Sequence, residues 1–131
     1  MVTFTDSQKA LLARPIYASL GTIRPDNTVT VNPMWFEFDG EVVKFTHTST
    51  RGKYRNLQQN PSMCLMVLDP DNPFNYAELR GSLKEVVEDP TGSFWVHLAE
   101  RYGNPGAPAP DDSPDRVILV MQIDRILGFT G

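Results

Sequence analysis

The sequence predicts a mainly β protein whose strands form an antiparallel barrel. Six or seven segments have the period-two apolar pattern or the β-branched composition of strands, and short turn signals such as Asp39-Gly40 separate most of them. Only two or three short segments have the spacing or the capping residues of helices. Strands joined mainly by hairpins pair antiparallel, so the pattern favours a barrel over a doubly wound sheet. The length of 131 residues fits a single domain over residues 1–131.

The N-terminal part predicts a short helix followed by a strand. Residues 5–7, Thr-Asp-Ser, are helix-capping types before a helical stretch at residues 8–12, and Pro15 ends it. Residues 16–23 alternate and predict the first strand. A turn is expected at residues 24–27, whose sequence is Arg-Pro-Asp-Asn.

The second strand is predicted over residues 28–38 and has an interruption. Val29 and Val31 alternate with polar residues, which is typical of a half-buried strand. Pro33 cannot donate to a strand ladder, so it indicates an edge or a bulge, and bulges are over-represented beside active sites. A ligand-facing role and a purely structural role are both open for three residues at this interruption: Asn32, Pro33 and Met34.

A hydroxyl-rich segment follows the hairpin at Asp39-Gly40. The strand predicted at residues 41–47 leads into a helix predicted at residues 52–59. Serine and threonine are favoured N-caps because their oxygens accept from free backbone N–H groups. The hydroxyl residues that precede this helix are Thr46, Thr48, Ser49 and Thr50.

Three cations lie at the start of the same predicted helix, namely Arg51, Lys53 and Arg55. Cations are unfavourable at a helix N-terminus, whereas a phosphate is favoured there. An anionic ligand is therefore one interpretation. The alternative is that the three side chains are simply solvated on an exposed turn.

The central part predicts two further strands. Residues 62–68 are nearly all apolar, which predicts a strand buried on both faces with Cys64 as an inert core thiol. Residues 69–73 form a proline-containing loop. The long strand at residues 74–87 contains Gly81, a candidate bulge.

The C-terminal part predicts a helix, a loop and a closing strand. The helix begins near residue 89, and its apolar stripe makes Trp95 a packing residue. The acidic, proline-rich loop at residues 103–115 is either a lid or a connection. The last strand is expected at residues 116–129.

Charge and composition limit which ligands, cellular location and catalytic mechanisms the sequence predicts. The formal net charge is −4, with a net of +2 in residues 1–60 and −6 in residues 61–131, which favours an anionic small molecule over nucleic acid as partner. No apolar stretch is long enough to span a membrane and the N-terminus lacks a signal-peptide core, so a cytoplasmic location is expected. His47 and His97 lack metal-site spacing, and no catalytic Ser-His-Asp or Cys-His pattern is evident.

Four segments together resemble a known family. They are L-G-T-I-R-P-D at residues 20–26, N-P-M-W-F at residues 32–36, T-R-G-K-Y-R-N-L at residues 50–57 and R-V-I-L-V at residues 116–120. Their order and spacing resemble the flavin-binding split β-barrel proteins, the pyridoxamine 5′-phosphate oxidase-like family. Within that family the chain looks most like the actinobacterial branch that uses the deazaflavin coenzyme F420.

The resemblance implies a Greek-key split barrel, a homodimer and a cofactor at the dimer interface. It places Arg51 and Lys53 at the cofactor phosphate, with Arg55 and Asn56 completing that motif. It also implies that hydroxyl and backbone groups reach the phosphate and ribityl chain, and that one strand passes the ring. The hydroxyl residues are Thr46, Thr48, Ser49 and Thr50, and the strand residues are Asn32, Pro33 and Met34.

Three functions are compatible with this resemblance. The first is an F420H2-dependent reductase that transfers a hydride to an electron-poor or conjugated small molecule, without a protein nucleophile or a metal. The second is a flavin mononucleotide (FMN) oxidoreductase. The third is an F420 carrier without turnover. The chain is shorter than true pyridoxamine phosphate oxidases and lacks their extra basic strand motif, which counts against that activity but not against FMN.

Overall fold

The computed structural model of the protein describes residues 2–129, which form one seven-stranded sheet with three α-helices. The helices are α1 (Asp6–Leu12), α2 (Gly52–Gln59) and α3 (Ser93–Arg101), with a short 3₁₀ helix at Ser113–Asp115. The strands are β1 (Ala18–Ile23), β2 (Val29–Met34), β3 (Glu37–Phe38), β4 (Val42–Thr48), β5 (Ser62–Leu68), β6 (Tyr76–Glu88) and β7 (Arg116–Phe129).

The sheet curls into a barrel because its two edges are joined by a very short connection. The strand order is β2-β1-β5-β6-β7-β4-β3, and every pair is antiparallel. The edge strands β2 and β3 are separated in sequence by Trp35 and Phe36 alone. Met34 and Glu37 are three residue steps apart and so lie within about 11 Å of each other, which means that the edges must approach each other. The predicted antiparallel barrel is confirmed.

The inner face of the sheet and the end of α1 form the core. In β1 the buried residues alternate with partly buried ones, as the sequence predicts. Large side chains from five strands are fully buried there: Leu20, Phe45, Leu65, Leu79 and Leu119. Thr5 caps α1 with the predicted hydroxyl, accepting from the Gln8 N–H at 3.1 Å.

The predicted second strand differs from the observed one. It ends at Met34, and residues 37–38 form the separate strand β3. Val29 and Val31 are 63% and 60% exposed, so the prediction of a half-buried strand is wrong. The reason is that β2 is an edge strand. Pro33 pairs with Ser19 in regular register, which corresponds to the edge alternative rather than to a bulge.

The strand β5 has the predicted bounds but is buried on one face only. Met63, Leu65 and Val67 point into the core, whereas Met66 and Leu68 are each 37% exposed. Cys64 is partly exposed and its thiol donates to Glu78 Oε2 at 3.4 Å, so it is not a core residue.

A bulge lies at the predicted position, Gly81, but its extra residue, Asp124, belongs to the neighbouring strand β7. The β6–β7 register shifts between Arg80 and Gly81. A Cβ atom on Gly81 would lie 1.8 Å from the Gln122 carbonyl oxygen, so only glycine fits. Among residues 2–129, no helix is long and apolar enough to cross a membrane.

Candidate functional site

A cleft of about 650 Å³ opens beside the β2–β3 connection. It is bounded by β2, the start of α2, the paired ends of β4 and β7, and α3. Its lining residues are Tyr17, Asn32, Pro33, Met34, Trp35, Thr46, His47, Arg51, Lys53, Trp95 and Arg116. Six of the eleven residues predicted to bind a cofactor therefore share one cavity.

Lys53 crosses from α2 to β2 on one side of the cleft. Its Nζ donates to Asn32 Oδ1 at 3.0 Å and lies 3.8 Å from Met34 Sδ. Burial, and then the neighbouring Arg51, lower the pKa of Lys53. Among the described residues, neither Lys53 nor Arg51 has a carboxylate within salt-bridge distance. The cleft thus holds positive charge that the protein leaves uncompensated.

Arg116 is a further cation of the cleft, and it is 9% exposed. Its Nε and Nη2 donate to the two carboxylate oxygens of Asp112 at 3.0 and 3.3 Å, which is a bidentate pair. Its Nη1 donates to Thr46 Oγ1 at 3.4 Å. Arg116 is therefore fixed in direction and largely neutralised, in contrast to Lys53.

His47 lines the same cleft as these cations and is 6% exposed. Its Nε2 atom has no hydrogen-bond partner in the described structure. Burial, with smaller contributions from Lys53, Arg51 and Arg116, lowers the pKa of His47 to about 4. The imidazole is therefore neutral at neutral pH.

The helix α2 has the predicted bounds but not the predicted cap. Its N-cap residue is Arg51, and no side chain caps the first turn. The hydroxyl groups make other contacts instead. Ser49 Oγ donates to the Asp115 carbonyl at 3.4 Å, and Thr50 Oγ1 lies 3.5 Å from Thr48 Oγ1. The N–H groups of the first turn consequently lack a side-chain acceptor, which suits an anion.

Five predicted site residues do not line the cleft. Thr48 is buried, whereas Thr50 and Arg55 are exposed. Asn56 is buried, and its Nδ2 donates to Thr22 Oγ1 of β1 at 3.3 Å. This contact fixes α2 on the sheet, so Asn56 supports the position of the helix that carries Lys53. The remaining residue is Ser49.

An aromatic side of the cleft is formed by Tyr17, Trp35 and Trp95. Trp35 stacks on Tyr102, with ring centroids 5.2 Å apart and an interplanar angle of 14°. Trp95 approaches Trp35 with centroids 5.8 Å apart, and Tyr17 meets Tyr102 edge-on at 5.8 Å. The Tyr102 hydroxyl donates to the Ile16 carbonyl at 2.8 Å and accepts from the Phe36 N–H at 3.0 Å. Tyr102 thus holds the cluster in place.

Several cleft residues were not predicted as site residues. Trp95 was assigned to packing on its helical stripe, and Tyr17, Trp35, His47 and Arg116 were not singled out as ligand contacts. The strand pairing of β4 with β7 brings Arg116 opposite Thr48 and next to Thr46. No local sequence signal reveals that pairing, because the two strands are about 70 residues apart.

Comparisons with known proteins agree with this fold. The sequence profile described as pyridoxamine 5′-phosphate oxidase matches residues 4–129. A solved structure named F420 reductase is 47% identical, with a TM-score of 0.91 over 95% of this chain and 98% of that chain. No match was found among curated proteins.

Two more distant solved structures share the fold. A conserved hypothetical protein from Mycobacterium tuberculosis is 21% identical, with a TM-score of 0.79 over 98% of this chain and 86% of that one. General Stress Protein 26 from Bacillus anthracis is 19% identical, with a TM-score of 0.74 over 95% and 92% of the two chains. The curled antiparallel sheet is a split barrel. The chain belongs to the pyridoxamine 5′-phosphate oxidase family.

Proposed function

We propose that the protein is an F420H2-dependent reductase that transfers a hydride to an electron-poor or conjugated small molecule. The observation that carries the proposal is the uncompensated pair Arg51 and Lys53 in the cleft beside β2. The similarity to a protein named F420 reductase at 47% identity favours this cofactor over FMN. Both cofactors contain a phosphate and a flat tricyclic ring, so the cleft alone does not distinguish them.

The residues of the cleft fit such a cofactor. A half-buried ammonium beside a guanidinium is electrostatically unfavourable, and a phosphate would relieve it. Arg51 and Lys53 would bind the phosphate together with the free N–H groups of α2. Thr46 would contact the ribityl chain, while Thr48, Ser49, Thr50, Arg55 and Asn56 would support this binding turn. The ring would lie along three β2 residues, which are Asn32, Pro33 and Met34.

The protein's part in the reaction would be placement and electrostatics. A bound reduced deazaflavin would supply the hydride. The described cleft has no carboxylate, thiol or hydroxyl nucleophile paired with a base, and His47 is neutral and enclosed. We therefore assign no catalytic residue, and the proton that completes the reduction would come from water. The walls of the cleft would hold the acceptor within reach of the ring.

The proposed function also includes a homodimer. Large apolar side chains are exposed on the outer surface, with Val29 and Val31 on β2 above 60% and Phe74 at 75%. In the sheet register, Val31 lies opposite Gly21, which in turn lies opposite Cys64, so this face extends from β2 to β5. Such a surface favours association with a second copy.

We expect a dimer mass by light scattering at micromolar concentration with F420 present. A Val31→Lys variant should shift the mass towards the monomer, because it places a charge in the apolar face. A monomer mass for the unmodified protein would contradict the dimer.

The reductase proposal is tested by mixing the protein with F420H2 and a panel of enones, quinones and tetrapyrroles. We expect the absorbance of oxidised F420 to reappear with at least one acceptor, and no oxygen to be consumed. Tight F420 binding with every acceptor inert would favour the carrier alternative. Turnover that requires FMN and consumes oxygen would favour the FMN oxidoreductase.

Replacing Lys53 with methionine, or Arg51 with alanine, is expected to weaken F420 binding about ten- to hundredfold. Each charge-assisted contact to phosphate contributes about 1.5–3 kcal/mol, and about 1.4 kcal/mol corresponds to tenfold. The matched comparison is Lys9→Met on α1, which should change the dissociation constant less than about threefold, because Lys9 is exposed and lies outside the cleft. Fluorescence titration measures all three. Unchanged affinity in both cleft variants would contradict the phosphate site.

A further inference from the structure

Lys53 makes a contact in the cleft that phosphate binding does not explain. Its Nζ atom donates to Asn32 Oδ1 at 3.0 Å and lies 3.8 Å from Met34 Sδ. Asn32 and Met34 are two positions apart in β2, so their side chains lie on the same face of that strand. The ammonium group of Lys53 therefore lies beside two of the residues that are proposed to line the cofactor ring.

The contact fixes which way the Asn32 amide is turned. An ammonium group only donates, whereas an amide has an oxygen that accepts and an NH2 group that donates. Only the oxygen can face Lys53, because the NH2 group would place donor against donor. Asn32 is exposed, so packing does not hold its side chain, and it lines the cleft. With Oδ1 held by Lys53, the Nδ2 group is turned away from Lys53 and has two N–H donors for a ligand.

The position of Lys53 itself is fixed by the helix that carries it. Asn56, three residues further along α2, is buried and donates to Thr22 Oγ1 of β1 at 3.3 Å. Thr22 lies opposite Thr30 in the β1–β2 register, two residues before Asn32. The helix is thereby attached to the strand pair that contains Asn32. The amide is oriented before a ligand binds, so its binding loses little conformational entropy.

One ammonium group can serve the amide and a phosphate together. It has three N–H donors, and Asn32 Oδ1 occupies one of them. Among the described residues, no carboxylate lies within salt-bridge distance of Lys53. The remaining donors can therefore bind a phosphate oxygen while the bond to Asn32 persists. Lys53 thus links the proposed phosphate site with the proposed ring site.

We propose that Lys53 positions the Asn32 amide so that its NH2 group donates to a carbonyl oxygen of the cofactor ring. Lys53 is then a positioning residue for the ring as well as a phosphate contact. Asn32 is a specificity-determining residue that recognises a ring edge able to accept hydrogen bonds. This inference rests on the proposed function, because it concerns the same cofactor. Its distinct consequence is that loss of Lys53 weakens the binding of a ligand that has no phosphate.

The test uses the deazariboflavin core of F420, which has the same ring and ribityl chain but no phosphate. Fluorescence titration measures its dissociation constant without any turnover. Asn32→Ala is expected to raise this constant about tenfold, because it removes a hydrogen bond to the ring, and Lys53→Met should raise it by about as much. Arg51→Ala and the control Lys9→Met should stay within about threefold, because neither side chain holds the Asn32 amide.

A double variant separates positioning from direct contact. If Lys53 acts on the ring through Asn32, then Asn32→Ala combined with Lys53→Met should bind the core at most about twofold more weakly than Asn32→Ala alone. Asn32→Asp is a second comparison. The aspartate keeps an acceptor for Lys53 but has no N–H donor, so this variant should also lose about tenfold in affinity for the core.

Two different failures can be distinguished. An unchanged affinity of Lys53→Met for the core, or a loss of about hundredfold in the double variant, would overturn the positioning role. If the cofactor proposal is the one that fails, the unmodified protein binds FMN and riboflavin instead of F420 and its core. The same variants are then titrated with riboflavin, whose ring also has carbonyl oxygens, and the same outcomes decide. An unmodified protein that binds neither phosphate-free compound overturns the positioning role, and titration with F420 decides separately whether the proposed cofactor stands.

Discussion

Replacing Arg101 with methionine is expected to lower the free energy of unfolding by about 4 kcal/mol. The Arg101 guanidinium donates to four backbone carbonyls, at 3.0 Å to Phe36 and at 3.5, 3.1 and 2.9 Å to Leu12, Ala13 and Arg14. It also lies 5.6 and 5.7 Å from the ring centroids of Phe36 and Tyr102. Charge-assisted bonds contribute about 1.5–3 kcal/mol each, and partly buried carbonyls without a donor add a penalty.

The measurement is urea unfolding at pH 7 with linear extrapolation. Arg125→Met is the matched control, because Arg125 is exposed on β7 and should cost at most about 0.5 kcal/mol. Arg101→Lys keeps the charge but lacks the planar guanidinium group. It should therefore restore less than half of the free energy of unfolding that Arg101→Met loses. An Arg101→Met variant as stable as Arg125→Met would contradict this account.

Arg101 also connects the scaffold with the cleft. Its bond to the Phe36 carbonyl fixes the chain next to Trp35, and its neighbour Tyr102 stacks on Trp35. The C-terminus of α1, the end of α3 and the β2–β3 connection thus meet at one cation. The stability of the fold and the shape of the aromatic side of the cleft therefore both depend on Arg101.

Local sequence signals predicted the elements that are specified locally. The bounds of α2 and β5 match the prediction because Asn60-Pro61 separates them sharply. The bulge at Gly81 follows from a glycine inside a strand pattern. The clustering of Arg51 and Lys53 with Asn32 and Met34 was implied by family resemblance, and the structure brings these residues together in one cleft.

The features that the sequence did not reveal depend on tertiary placement. Val29 and Val31 have a strand pattern, but their exposure depends on β2 being an edge strand. A threonine run before a helix is a good cap signal, yet the chain turns so that Arg51 occupies the N-cap position. Arg116 enters the cleft only through the β4–β7 register. Each outcome depends on contacts between distant segments.

Acidification from pH 7.5 to 4.5 is expected to destabilise the protein by about 2.5 kcal/mol more than it destabilises a His47→Phe variant. Burial chiefly, and then Lys53, Arg51 and Arg116, lower the pKa of folded His47 from 6.5 to about 4. Between about pH 6.5 and 4 the unfolded chain binds a proton at this residue and the folded chain does not. The contribution to stability is therefore fully present above pH 6.5 and is lost as the pH falls towards 4. One pKa unit corresponds to about 1.36 kcal/mol.

Urea unfolding of both proteins at pH 7.5 and 4.5 measures this difference. The carboxylates also titrate in this range, but they are the same in both proteins, so their contribution cancels. The NMR resonance of the His47 ring should stay constant between about pH 8 and 5.5. Equal pH dependence in the two proteins, or a ring that titrates near 6.5 in the folded state, would contradict the enclosed neutral imidazole. Saturating F420 should reduce the difference, because an anion beside Lys53 and Arg51 favours the protonated ring and raises the pKa of His47. The reduction should be partial, since burial is the larger cause of the shift.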